Sequence, residues 1–273
     1  MNTVRLNVDA TNPGQMFACC GLMEIASRLD TGSRGWFEYN QFVVETKLSL
    51  RELLACARDF KFGESQDTEE ADDENSEDDE EGALTPIYIS SPITICLDWW
   101  EQKSLKTWAG SMKEAIIFAS MCGAIDPDSP DPFNQAQVVY EQQKPVPPGS
   151  RAKKPKKREP FYFDSRRGYN THSRDVGFST DAQKMLVLAN PVVEALCFVG
   201  LQRCRPVPTG EPRIFNYSTW STPREILLFP AAIAGLLPDS QIETYQFENW
   251  FRTSQRKHKA FLSAKLQTTT HIP

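Results

Sequence analysis

The chain has 273 residues, 40% hydrophobic and 24% charged, enough apolar material for the core of one large domain or two small ones. Its formal net charge of −6 comes from one segment: Glu64 to Glu81 holds twelve acids and no Lys or Arg, and without it 24 acids face 30 bases, a formal +6. The remainder is mildly basic and permits a polyanionic partner, while the longest apolar run, around Ala115 to Cys122, is far too short to span a bilayer.

Val4, Leu6 and Val8 alternate with polar residues, which predicts a half-buried strand. Asn12-Pro13-Gly14-Gln15 then predicts a helix start, with Asn12 as N-cap, Pro13 at the first position and Gln15 reaching back. The helix runs to about Leu29, apolar over most of its circumference, with Glu24, Ser27 and Arg28 expected to face solvent. Its small residues Ala18, Cys19 and Gly21 allow another element to approach closely. The amides at its start are also compatible with a bound anion, the alternative to a plain core helix.

Trp36 to Glu45 reads as strand, and Ser49 caps a helix from Leu50 to about Phe60. The acidic run follows. Without aromatic or large aliphatic residues it has nothing to bury, so residues 63–82 are expected to form a disordered insertion. Pro86 to Leu97 predicts one or two strands, and Trp99, Trp100 and Trp108 are expected to be buried. Ser111 to Gly123 predicts a helix whose apolar sector holds Met112, Ala115, Ile116, Ala119 and Met121. Residues 142–160, rich in Pro and Lys, read as an extended linker. Further on, a helix capped by Asp181 is expected to pass through Leu186 and Leu188, to be interrupted or restarted at Pro191, and to reach about Gln202. Strands follow at Arg213 to Trp220 and Ile226 to Phe229, then a short helix from Pro230 and a C-terminal pair of strands, Tyr245 to Phe251 and His258 to Leu266. Strands and helices mix without a strict alternation, which predicts a single α+β domain over residues 1–273 carrying two mobile insertions.

The seven cysteines are odd in number, form no CxxC pair and mostly sit among apolar residues. They are expected to be buried, reduced thiols in a cytoplasmic protein. The chain opens straight into a strand pattern, so no signal peptide is expected.

The densest polar chemistry lies between Pro160 and Asp181. A short aromatic strand, Phe161-Tyr162-Phe163, runs into a stretch carrying Arg166, Arg167, Asn170, His172 and Arg174, directly after the cationic run Lys153, Lys154, Lys156, Lys157 and Arg158. Guanidinium forks match phosphate oxygens and guanine edges, and mobile lysines supply sequence-independent attraction. These ten residues are the candidate nucleic-acid site. The alternative is a surface loop whose arginines pair with Asp164, Asp175 and Asp181. No phosphate loop, dinucleotide fingerprint, HExxH or GxSxG is present, and the three histidines, His172, His258 and His271, fit no metal-ligand spacing. No catalytic residue, metal or cofactor is therefore expected.

Three stretches together resemble one family. They are Asp9-Ala10-Thr11-Asn12-Pro13-Gly14-Gln15 with Ala18-Cys19-Cys20-Gly21-Leu22-Met23-Glu24; Phe163-Asp164-Ser165-Arg166-Arg167-Gly168 through Asp175-Val176-Gly177-Phe178; and Phe229-Pro230-Ala231-Ala232 to Pro238. The family is the short CRISPR-associated large subunit of subtype I-U, renamed I-G. The resemblance implies a non-catalytic subunit of a crRNA-guided surveillance complex in antiviral defence. Its implied partners are the other effector subunits, crRNA, target DNA and the separate helicase–nuclease. It assigns no task to an individual residue. The second expectation, from a different class, is a structural adaptor that bridges other subunits without touching nucleic acid.

Overall fold

A computed structural model describes residues 2–63, 85–108, 113–142, 154–168, 187–251 and 258–271. The expected insertion lies almost wholly outside these ranges, as does most of the expected linker. In chain order the elements are β1 (Asn2–Asn7), α1 (Pro13–Leu29), β2 (Arg34–Glu38), β3 (Gln41–Thr46), α2 (Leu50–Arg58), β4 (Lys61–Phe62), β5 (Ile87–Ser91), β6 (Ile95–Leu97), α3 (Glu114–Gly123), β7 (Val139–Tyr140), β8 (Lys157–Arg158), α4 (Ser165–Gly168), α5 (Pro191–Arg203), β9 (Val207–Pro208), β10 (Ile214–Trp220), α6 (Phe229–Ile233), β11 (Gln241–Phe251), β12 (Lys259–Phe261) and β13 (Lys265–His271). The fold is mixed α+β, as the sequence predicts.

The centre is the pair α1 and α5. Both begin with Asn-Pro, a cap followed by a residue whose missing N–H costs a helix start nothing. Both are buried along nearly their whole length, and they cross where each carries a glycine. A Cβ on Gly21 would lie 1.9 Å from the Leu196 carbonyl oxygen, and one on Gly200 would lie 2.0 Å from that of Phe17. Backbone therefore meets backbone, the close approach foreseen from the small residues of α1.

Antiparallel sheets flank this pair. One has the order β1-β3-β2; another runs β12-β11-β10-β9, with β13 also paired to β11. Phe17 of α1 meets Tyr217 of β10 edge-on at 5.7 Å, and Trp220 donates its indole N–H to the Gly35 carbonyl at 3.0 Å, which ties the two sheets together. Trp99, Trp108, Phe118, Phe161 and Phe163 gather around Phe198 of α5. Trp99, Trp100 and Trp108 are buried, as expected. The seven cysteines are all free thiols, six of them buried. Among the described residues no helix is long and apolar enough to cross a membrane.

Five local expectations are corrected. Glu24 is not solvated but 2% exposed, clamped by Arg28 at 2.8 Å and by Arg203 of α5 at 2.6 Å. The buried residues of α3 are Ile117, Phe118, Ser120, Met121 and Cys122; of the expected sector Met121 is among them, Ala115 is exposed, Ile116 and Ala119 are half-buried and Met112 lies outside the described residues, because a helix apolar on nearly every side has no strong period to read. Leu188 is not helical; α5 starts at Pro191. Ile226 to Leu228 is a 3-10 turn leading into α6, not a strand. The end of the expected linker is structured: β8 pairs with Val139–Tyr140, and Pro160 is buried.

Candidate functional site

The N-termini of α1 and α5 converge beneath the segment Phe163–Arg166. Asn12 caps α1 through its Oδ1, which accepts from Gly14 N at 3.1 Å and Gln15 N at 3.4 Å. The same oxygen accepts from Ser165 N at 3.1 Å, and Asn12 Nδ2 donates to Asp164 Oδ1 at 2.8 Å. Gly14 makes room for this: a Cβ there would lie 2.4 Å from the Phe163 carbonyl oxygen. Gln15 does not return to Asn12 as expected; its Oε1 accepts from Asp9 N at 2.8 Å. The start of α1 is thus closed by the protein's own chain, and the anion alternative has no room.

Asn190, at the cap position of α5, turns its side chain away from its own helix and donates to Asp164 Oδ2. Arg166 completes the shell, with Nε 2.9 Å from Asp164 Oδ1 and Nη2 2.7 Å from Oδ2. Its guanidinium also donates to the Phe133 carbonyl at 2.6 Å and to Asn134 Oδ1. Below, Glu194 accepts from Phe163 N at 3.3 Å and Asp164 N at 3.1 Å. Asn12, Asp164, Asn190 and Glu194 are all essentially inaccessible.

The two carboxyls are pushed apart. Burial raises Asp164, but Arg166, with help from Asn12 and Asn190, outweighs it and holds the group below its usual range. Burial and then the Asp164 charge push Glu194 up to about 8. A neutral Glu194 beside an ionised Asp164 is the arrangement that avoids two buried anions side by side. With only Arg166 reaching solvent, this cluster clasps four distant segments together. It joins the first two stretches that carry the family resemblance.

The ten candidate residues divide. Lys154, Lys156 and Lys157 are exposed on and before β8, and their side chains form no ion pair with a described residue. Arg158 is half-buried and paired with Glu141. Arg166 takes up the internal pairing just described, as the loop-stiffening alternative has it. Arg167 lies in α4, its side chain outside the described set, and Lys153, Asn170, His172 and Arg174 lie outside the described residues, as do Asp175 and Asp181. Sequence reasoning missed Asn190 and Glu194. The repeated Asn-Pro at the heads of α1 and α5 was the signal that could have found the first; nothing local marks the second.

No family model, curated protein or solved structure matches the chain.

Proposed function

We propose that this chain is a non-catalytic subunit of a type I CRISPR ribonucleoprotein, holding crRNA or target DNA by its phosphate backbone through the tract from Lys153 to Arg174. The observation that carries the nucleic-acid half is the ribbon of β7 and β8. It presents Lys154, Lys156 and Lys157 to solvent while Glu141 neutralises only Arg158. The ribbon is tethered through buried Pro160, Phe161 and Phe163 to the aromatic core, so its cations ride on a fixed base. The subunit half rests on the family resemblance and on the meeting of its first two stretches in one buried cluster.

One observation favours the adaptor reading beside it. Leu227 and Leu228, just before α6, and Leu236, within the third resembling stretch, are 70%, 45% and 75% exposed, and large apolar residues left in solvent on neighbouring turns suit a contact with another protein. On this reading they meet neighbouring subunits. The test is reconstitution: the chain is mixed with the other effector subunits and crRNA of a subtype I-G complex and passed over a sizing column. Co-elution in fixed stoichiometry supports the reading; elution of this chain alone from a complex that assembles without it sinks it.

A further inference from the structure

The β7–β8 ribbon carries an aromatic ring as well as lysines, and the two stand opposite each other. Tyr140 of β7 pairs in register with Lys157 of β8, as Val139 does with Arg158. Residues directly opposite in an antiparallel pair share a face and hold their Cβ atoms about 4.5–5.5 Å apart. The two faces of the ribbon differ. Val139 is 1% exposed and turns inward, whereas Tyr140 is 44% exposed, with Lys157 exposed across from it. No hydrogen bond or ring contact to another described residue engages Tyr140.

The strand beneath the ring is fixed at both ends. Gln137, two residues before β7, bridges to Ala189 through two backbone hydrogen bonds of 2.8 Å, and its side chain donates to the Ala124 carbonyl at 2.8 Å. Gln142, just after β7, donates to the Ala119 carbonyl at 3.5 Å and lies where a Cβ on Gly123 would clash with it. The C-terminal half of α3 therefore braces β7 from either side of Tyr140.

A single exposed tyrosine is ordinary on a strand. Here the ring sits across from a lysine on a braced strand, with Lys154 and Lys156 exposed along the same short stretch. Lysines attract the phosphates of single strands and duplexes alike. Only a single strand offers the open face of a base to a ring. The ring beside the lysine can therefore select a strand state that the lysines alone cannot.

We propose that the ribbon takes single-stranded nucleic acid in preference to duplex, with one base stacked on Tyr140 and the adjoining phosphates on Lys157, Lys156 and Lys154. The inference rests on the reading of the lysine tract as a backbone grip and adds strand selection to it.

The probes are a fluorescein-labelled oligothymidylate of about 15 nucleotides and its duplex with oligoadenylate, titrated by anisotropy against the full chain; an oligouridylate of the same length separates RNA from DNA as the strand taken. Tyr140→Ala is expected to weaken the single strand about 5- to 150-fold and to leave the duplex unchanged, while Tyr140→Phe, which keeps the ring, retains most of the affinity. Changing Lys153, Lys154, Lys156 and Lys157 to Gln is expected to weaken single strand and duplex alike. Thermal melts of each variant separate lost binding from lost folding. A 5-iodouridine oligomer irradiated on the wild-type chain should crosslink to the peptide containing Tyr140, without any substitution. Unchanged single-strand affinity in Tyr140→Ala, equal loss of single strand and duplex in that variant, or a crosslink confined to other peptides overturns the inference, and the backbone grip still stands if the lysine variant loses binding. If the lysine variant binds as the wild-type chain does, or the wild-type chain binds neither probe, the grip itself falls and the inference with it.

Discussion

Asn12 and Asp164 stand 152 positions apart and share a 2.8 Å hydrogen bond between two side chains that see no solvent. Asn12 is thus a helix cap and a cross-chain tie at once. A cap alone is worth about 1 kcal/mol. Asn12→Ala also strips a donor from a buried carboxylate and an acceptor from Ser165 N, each such loss costing about 1–3 kcal/mol. The expected total is about 3 kcal/mol in urea unfolding. Asn12→Ser, which restores the cap but not the reach to Asp164, should recover only about 1 kcal/mol. Full recovery by Ser would mean that the tie contributes nothing.

The two carboxyls of the clasp should give opposite pH signatures. Asp164 has a lowered pKa, so its contribution is present above the unfolded value of about 3.9 and is lost as pH falls through the folded one. Glu194 has a raised pKa. Its contribution is complete below the unfolded value of about 4.3 and drains away as pH rises towards about 8. Stability should therefore decline between pH 5 and 8 on account of Glu194, by no more than about 1.4 kcal/mol per pH unit. Thermal melts across this range should show the decline in the natural chain and a flatter profile in Glu194→Gln. Parallel profiles would mean that Glu194 is already ionised at neutral pH.

The glycines at the helix crossing leave no slack. Gly21→Ala drives a methyl into the Leu196 carbonyl and Gly200→Ala into that of Phe17, and neither neighbour is a side chain that can rotate away. Each should cost about 3 kcal/mol, at the upper end of overpacking, while Leu22→Ala, at a fully buried site, should cost roughly 2–5 kcal/mol as a cavity. A neutral Gly→Ala in chemical denaturation would mean that the helices lie farther apart.

What was legible in the sequence was what is local. The Asn12 cap, the Ser49 cap and the small-residue face of α1 are set by neighbours within a turn or two. Glu24 reads as solvated in the sequence because its decisive partner, Arg203, is 179 positions away, and nothing local to an apolar helix marks an acid as buried. Ile226 to Phe229 read as strand because four apolar residues in a row fit a buried strand and a tight helical turn equally well. The pairing of Arg166 with Asp164, two residues apart, was one of two open readings; the choice lay in Asn12 and Asn190, which enclose that carboxylate from outside the segment.

The acidic segment should be dispensable for folding. Its flanking strands β4 and β5 pair antiparallel, with Gly63 N donating to the Tyr88 carbonyl at 2.9 Å, so the two ends of the segment are already brought side by side. Replacing residues 64–84 by a short Gly/Ser turn changes only loop-closure entropy, worth about 1 kcal/mol or less. The shortened chain should keep one cooperative thermal transition. Loss of that transition would place the segment among the stabilising parts of the fold.

The central claim is that the tract from Lys153 to Arg174 holds a nucleic-acid backbone, and fluorescence anisotropy as a function of salt tests it most directly. The measurement is made on the assembled complex and on the isolated chain, comparing the natural protein with the variant carrying Gln at Lys153, Lys154, Lys156 and Lys157. Each lysine that meets a phosphate should lower the slope of log K against log salt by roughly 0.7–0.9 when removed, for every sequence alike. The account predicts weaker binding and a flatter slope in that variant. Unchanged affinity and an unchanged slope in both formats would contradict it and leave the adaptor reading in its place.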